Sequence, residues 1–276
     1  MSGRVVTFLS DFGIADDFVG VCHGVILRAC PDAQVVHVTH GIRAQAIGHG
    51  ARVLAGAIPY LPVGVHLAVV DPGVGSGRRA VALRSGDGRI FVGPDNGLLI
   101  PAAEASGGIA EAHEIANPDV MLHPVSRTFH ARDIFAPAAG RLAGGMPFSE
   151  LGPALDPVDL VRRVGLDHRL DGTLLRAAVQ HVDRFGNIQL AVFAAELDGL
   201  FEPGRLAELV TPDDRYYVRS AETFADVEPG ELVIYMDSSG LLSVAVNQGS
   251  AAELTATQAG DEIGVEFSPS RRGRNA

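Results

Sequence analysis

The sequence has no tryptophan, only two cysteines, and no apolar run approaching the roughly 20 residues that span a bilayer. The last of these argues against membrane insertion. The opening MSGRVVTFLSDFG lacks the charged, apolar and cleavage regions of a secretory signal in succession, so the expected location is cytoplasmic. Cys22 and Cys30 fall eight residues apart on one predicted helix, too far along its axis for a disulfide, and read as buried apolar thiols. Basic charge is also scarce. With 22 Lys and Arg against 33 Asp and Glu, the formal charge is −11, which disfavours a nucleic-acid partner because that affinity rests on neutralising phosphates. The one basic stretch, Ser270-Arg271-Arg272-Gly273-Arg274, reads as a frayed terminus.

At 276 residues with 47% hydrophobic and 20% charged side chains, the chain has the balance of a globular protein and the length for two domains. Val5-Val6-Thr7-Phe8-Leu9 reads as a buried strand, and Phe18, Val21, Cys22, Val25 and Ile26 mark one face of a following helix. Residues 34–38 predict a second strand, 44–58 a second helix and 66–70 a third strand, an alternation that predicts a layered sheet with parallel members. After Asp71 the rhythm changes. Two short apolar runs, 80–83 and 90–92, flank Ser85-Gly86-Asp87-Gly88, a hairpin signal, so the sheet is expected to be mixed. A helix is predicted over 134–142, closed by Gly144-Gly145. From about Leu170 strand-like runs dominate, at 174–182, 188–192, 216–219, 231–235 and 241–246. The expected architecture is an α/β domain over 1–165 with a mixed, largely parallel sheet, and a smaller all-β, barrel-like domain over 166–276.

Ligands of open α/β sheets bind beyond the carboxyl ends of the strands, and two acids stand there. Asp11 follows the first strand in Ser10-Asp11-Phe12-Gly13, where its carboxylate would suit the two donors of a ribose diol. Asp16, five residues on, reads either as part of that site or as a helix cap. Asp71 opens Asp71-Pro72-Gly73-Val74-Gly75-Ser76-Gly77-Arg78-Arg79, whose glycines read mainly as turn formers. This loop is only superficially like the nucleotide-binding loop of methyltransferases, since a strand-like run follows the glycines where those enzymes have a helix, and no Walker lysine is present. Thr128-Phe129-His130-Ala131-Arg132-Asp133 precedes a predicted helix. His130 is a proton-transfer candidate or a structural histidine, and Asp133 a cap with Arg132 as its partner. His37 and His40 are expected on opposite faces of a strand, so no metal site is expected. In the β domain, Asp183-Arg184-Phe185-Gly186-Asn187 and Asp237-Ser238-Ser239-Gly240 read as turns; Asn187 would offer an amide to an adenine edge and Ser238 a donor to a carboxylate.

These segments, with Gly93-Pro94-Asp95-Asn96-Gly97-Leu98-Leu99 and Asn247-Gln248-Gly249-Ser250-Ala251, occur in an order that resembles the S-adenosyl-L-methionine (SAM) hydroxide adenosyltransferases, relatives of the fluorinases and chlorinases. The resemblance covers almost the whole chain. It implies an enzyme that hydrolyses SAM to adenosine and L-methionine without a metal or other cofactor. An Asp, Arg and His triad around the nucleophilic water would fall on Asp71, Arg78 and His130, the proton going to Asp71 or His130. By the same resemblance Asp11 would hold the ribose hydroxyls, Asn187 the adenine, Asp16 with Asp183 the methionine amino group, and Ser238 would lie near its carboxylate. Ser239 stands where the halogenating relatives have an Arg. A homotrimer with active sites between subunits is also implied.

Three other readings compete. A SAM-dependent halogenase is disfavoured by the short 84–90 connection, where fluorinases carry an insertion, and by the Asp and His kept at 71 and 130. A non-catalytic SAM or nucleoside-binding module would need Asp11 and Asn187 but not His130. A methyltransferase would release S-adenosylhomocysteine.

Overall fold

A computed structural model describes residues 4–162, 168–197, 199–238 and 240–268; the basic stretch at 270–274 and Ser239 lie outside these. The chain divides into two units, Met1–Val164 and Gly165–Ala276. Among the described residues no helix is long and apolar enough to cross a membrane.

The first unit begins β1 (Val5–Ser10), α1 (Phe18–Ala29), β2 (Gln34–Thr39), α2 (Ile47–Ala57) and β3 (Val65–Val69). It continues β4 (Ala80–Ser85), β5 (Ile90–Pro94), α3 (Ile100–Ala105), β6 (Ile109–Glu114) and α4 (Ala136–Ala143). Its sheet has the order β2-β1-β3-β5-β4-β6, in which the pairs made by β4 are antiparallel and the others parallel. Strand side chains alternate between two cores. Val6, Phe8, Leu67 and Ala82 meet Cys22, Ile26, Ala139 and Leu142 of α1 and α4, while Leu9, Ala68, Val81 and Leu83 meet Leu54 of α2 and Ala102 of α3. Because helices cover both faces, the central strands are largely apolar, and the buried polar side chains Thr7 of β1 and His66 of β3 pair with each other at 2.9 Å. Each fully buried Leu, Ile or Phe contributes about 1.5–3 kcal/mol relative to exposure. Both cysteines are buried and free, and burial pushes the Cys22 thiol up to about 12.

Several expectations shift on meeting the structure. The second helix starts at Ile47 rather than Ala44, because residues 41–46 first cross the end of β1, where Gly13 N–H donates to the His40 carbonyl. The helix read from Ile134 starts earlier, with a π-helical turn at Ala131–Phe135 that runs into α4. The pattern missed β6, whose Ile-Ala-Glu-Ala-His-Glu favours helix until pairing with β4 overrides it. His37 and His40 do not diverge. His40 follows β2 instead of lying in it, past a register shift, and its Nε2 meets His37 Nδ1 at 2.7 Å. Strand alternation therefore does not reach it.

The second unit contains β7 (His168–Asp171), β8 (Leu174–Val182), β9 (Ile188–Phe193), β10 (Leu206–Val210) and β11 (Arg215–Ser220). Then come β12 (Leu232–Met236), β13 (Leu241–Val246), the short α5 (Ala251–Leu254) and β14 (Glu262–Phe267). The order β14-β10-β11-β12-β13-β9-β8, joined end to end by β14–β8, closes a seven-stranded barrel, with β7 added along β8. Leu175, Ala177 and Val179 alternate into its core beside Leu190, Leu209, Val244 and Val265. Closure satisfies strand edges that would otherwise stand open. The sequence pattern missed β10, because Leu-Ala-Glu-Leu-Val reads as helix until β11 and β14 pair on either side of it.

Candidate active site

Strand β1 lies between β2 and β3, so the chain leaves the sheet in different directions around its carboxyl end and opens a crevice there. Asp11 and Asp71 stand at the ends of β1 and β3 and line one cleft of about 390 Å³ with Phe12, Phe18, Gln45, Val74, Phe129 and His130.

Arg78 joins this cleft to a hydrogen-bonded network. Its Nε donates to both carboxylate oxygens of Asp71, at 2.9 and 3.0 Å, and its Nη2 also meets Oδ2. The same Nη2 lies 2.9 Å from His130 Nδ1. The side chains of Arg78 and Asp71 are only 10% and 6% exposed, and the guanidinium rests over the Phe135 ring, 5.0 Å from its centroid. The chain contains no lysine, so all 22 Lys and Arg positions are arginine. Guanidinium cannot accept a hydrogen bond, so His130 Nδ1 must, which places the proton of the neutral imidazole on Nε2. Burial and then the Arg78 charge hold the His130 pKa below its ordinary value, keeping that neutral form in place.

The loop carrying His130 is pinned by Asp133, which is buried and accepts from Arg132 Nε at 2.7 Å, Arg132 Nη2 at 3.0 Å and Ser126 N–H at 2.8 Å. Burial pushes the Asp133 carboxyl up, but these hydrogen bonds and the Arg132 charge outweigh it and leave the pKa lowered. Arg132 is the expected partner. Asp133 is not a helix cap, because it sits inside the π-helical turn and ties that turn back to Ser126.

The Asp71 loop packs against the same segment. Gly75 has φ +76°, and a Cβ there would stand 2.4 Å from the Arg127 carbonyl oxygen. Turn formation alone does not account for this glycine. Gly77, two residues on, has open space around it.

On the other side of the cleft, Asp11 Oδ2 accepts the Gln45 N–H at 2.8 Å. Phe12, Phe18 and Phe129 form an edge-to-face aromatic wall, with ring centroids 5.2–6.2 Å apart. Periodicity assigned Phe18 to the buried face of the first helix, yet it is exposed and lines the cleft. Its place at the first residue of α1, directly after an acid-rich turn, was the available signal. Nothing in the sequence pointed to Gln45. Asp16 is exposed in the turn before α1 and lines neither hollow; the N-cap position belongs to Asp17, which makes no side-chain capping bond.

In the second unit Asp183, Asn187 and Ser238 share a hollow of about 310 Å³ with Gln189, Tyr235 and Asp237. Asp183 Oδ1 accepts the N–H groups of Phe185 and Asn187 at 2.8 and 2.9 Å, and its Oδ2 accepts Asn187 Nδ2 at 2.9 Å. That bond orients the amide, leaving its oxygen to accept from a ligand. Gln189 Nε2 and Ser243 Oγ donate to Asp237 Oδ2 at 2.6 and 3.1 Å. Burial, with the Asp237 and Asp183 charges, raises the Tyr235 pKa, so its hydroxyl stays a donor. Ser238 is exposed in the hairpin turn between β12 and β13. Among the described residues, no three or more His, Cys, Asp or Glu side chains are arranged to hold a metal ion.

Comparison with known proteins gives these hollows a context. Residues 6–152 match the SAM hydroxide adenosyltransferase N-terminal domain and 177–264 its C-terminal domain. A Salinispora tropica protein named (R)-S-adenosyl-L-methionine hydrolase is 48% identical over 260 residues, 94% of this chain and 97% of its own. A protein of the same name from Thermus thermophilus is 41% identical, across 91% of this chain and 94% of its own. A fluorinase from an Actinoplanes species is 30% identical, across 90% and 92%. The crystal structure of an uncharacterized conserved protein from Thermotoga maritima superimposes with a TM-score of 0.84 at 32% identity, covering 94% of this chain and 99% of that one. With both units matched in order along most of its length, the chain belongs to the SAM hydroxide adenosyltransferase family.

Proposed function

We propose that this protein hydrolyses S-adenosyl-L-methionine to adenosine and L-methionine by in-line attack of water on the ribose C5′. The observation that carries the reading is the Asp71–Arg78–His130 network opening on the cleft that also holds Asp11. The leaving group is a neutral thioether and needs no acid, so the difficulty lies in the nucleophile. The water oxygen bonds to C5′ as the C5′–S bond breaks toward sulfur, and one proton is released.

Of the two candidate bases, Asp71 suits the geometry. His130 Nδ1 is occupied by Arg78, so the imidazole presents an N–H at Nε2, which orients the water by donating to it. Asp71 takes the proton, and the arginine cation compensates its charge and the developing hydroxide. A positioned base contributes roughly 10²–10⁴-fold, and in-line placement of the water a comparable or larger share. The faces of Phe12, Phe18 and Phe129 attract a sulfonium cation. Asp11 holds the ribose diol, Asn187 the adenine and Asp183 the methionine amino group, with Ser238 near its carboxylate. A halide in place of water is disfavoured, since the Asp71 carboxylate would face it.

The test is product analysis in ¹⁸O-water with a chelator present: adenosine labelled at the 5′-hydroxyl and free methionine are expected, at a rate the chelator does not change. Unlabelled adenosine would remove water as the nucleophile, 5′-halogenated nucleoside would select the halogenase, and S-adenosylhomocysteine a methyltransferase.

The lowered His130 pKa sets a pH signature. Neutral His130 is the working form, so activity should persist below pH 6.5, the ordinary histidine pKa, and fall as pH drops through the lowered value. Protonation there puts an N–H on Nδ1 against the Arg78 donor. In His130→Gln that acid limb of kcat/KM should disappear along with much of the rate; an unchanged limb would assign it to another group. The proposal includes a cytoplasmic homotrimer, and a monomeric mass by light scattering at assay concentration would remove that part.

A further inference from the structure

Gln45 is one of three non-glycine residues with positive φ among those described, at +64°. Glycine would adopt this conformation without strain, so a side chain retained there calls for a use. The left-handed backbone accounts for part of it, turning the Gln45 N–H onto Asp11 Oδ2 at 2.8 Å. Any residue in that conformation would make the same bond. The side chain is what remains unexplained: Gln45 is exposed, it lines the cleft beside Asp11, and its amide has no hydrogen-bond partner among the described residues.

We infer that Gln45 is a specificity-determining residue whose side-chain amide reads the ribose 2′,3′-diol together with Asp11, an inference resting on the assignment of that diol to Asp11. With one Asp11 oxygen occupied by the Gln45 N–H, the other accepts from one hydroxyl. A neutral amide with both a donor and an acceptor complements the second hydroxyl, where another carboxylate would add repulsion beside Asp11 and Asp71.

The test pairs two variants with two ligands, measuring binding of adenosine and of 2′,3′-dideoxyadenosine to the full-length protein by calorimetry. Gln45→Gly keeps the N–H to Asp11 and suits the left-handed backbone, so its melting temperature should not fall. Its Kd for adenosine should rise about tenfold, equivalent to ~1.4 kcal/mol, while that for the dideoxy ligand stays unchanged. Gln45→Asn, also tolerant of positive φ, should recover part of the loss. An adenosine Kd within about twofold of wild type in Gln45→Gly, or equal weakening of both ligands, overturns the inference. Equal affinity of the wild-type protein for the two ligands would instead overturn the assignment of the diol to Asp11, and this inference with it.

Discussion

Replacing Asp71 by Asn is expected to lower the kcat for adenosine release by roughly 10²–10⁴-fold, the contribution of a positioned base, while adenosine still binds. The amide is nearly isosteric and can still accept from Arg78, but it cannot take a proton from water. The same replacement acts on stability, because the Asp71 and Arg78 side chains are only 6% and 10% exposed. Leaving a buried guanidinium without its counter-charge costs about 3–5 kcal/mol, whereas replacing both partners with apolar residues is often close to neutral. Asp71→Leu should therefore unfold at lower temperature than the double replacement Asp71→Leu with Arg78→Met, although neither turns over. Comparing these variants separates the structural part of the pair from the chemical part. Turnover by Asp71→Asn within about threefold of wild type would mean that the proton goes elsewhere.

A second large effect is expected from a single methyl group. Gly75→Ala places a Cβ 2.4 Å from the Arg127 carbonyl oxygen at φ +76°, a conformation that strains any L side chain. Either the 71–79 loop or the segment leading to His130 must shift, which moves Asp71 and Arg78 relative to the imidazole they are bonded to. Displacement of reacting groups by about 1 Å can lower a rate 10²-fold, so kcat/KM should fall by about that factor, with roughly 2–4 kcal/mol lost in stability. Gly77→Ala is the matched control, since nothing lies within 4 Å of its added methyl, and it should stay within about 0.5 kcal/mol of wild type. Equal effects at the two glycines in melting and steady-state measurements would show that the close approach at Gly75 is unimportant.

Periodicity alone identified the central strands and the first helix, because apolar spacing is a local property that burial on both sheet faces imposes directly. It also placed Asp11 and Asp71 at strand ends, where α/β sheets bind ligands. It could not find β6 and β10, whose Ala, Leu and Glu residues favour helix until neighbouring strands supply hydrogen-bond partners. The ordered motifs carried the family, while the contacts of their residues stayed out of reach. That Arg78 bridges Asp71 and His130, that Phe18 faces a cleft instead of the core, and that His37 and His40 meet are relations between segments distant in the chain or past a strand's end. Residue type and order thus specify which elements form and which chemical groups are present. Hydrogen-bond direction, the histidine tautomer and the partner of each charge were decided only when β1 and β3 came side by side and the 126–130 segment closed over the Asp71 loop, because each depends on distances of a few ångströms that no linear spacing encodes.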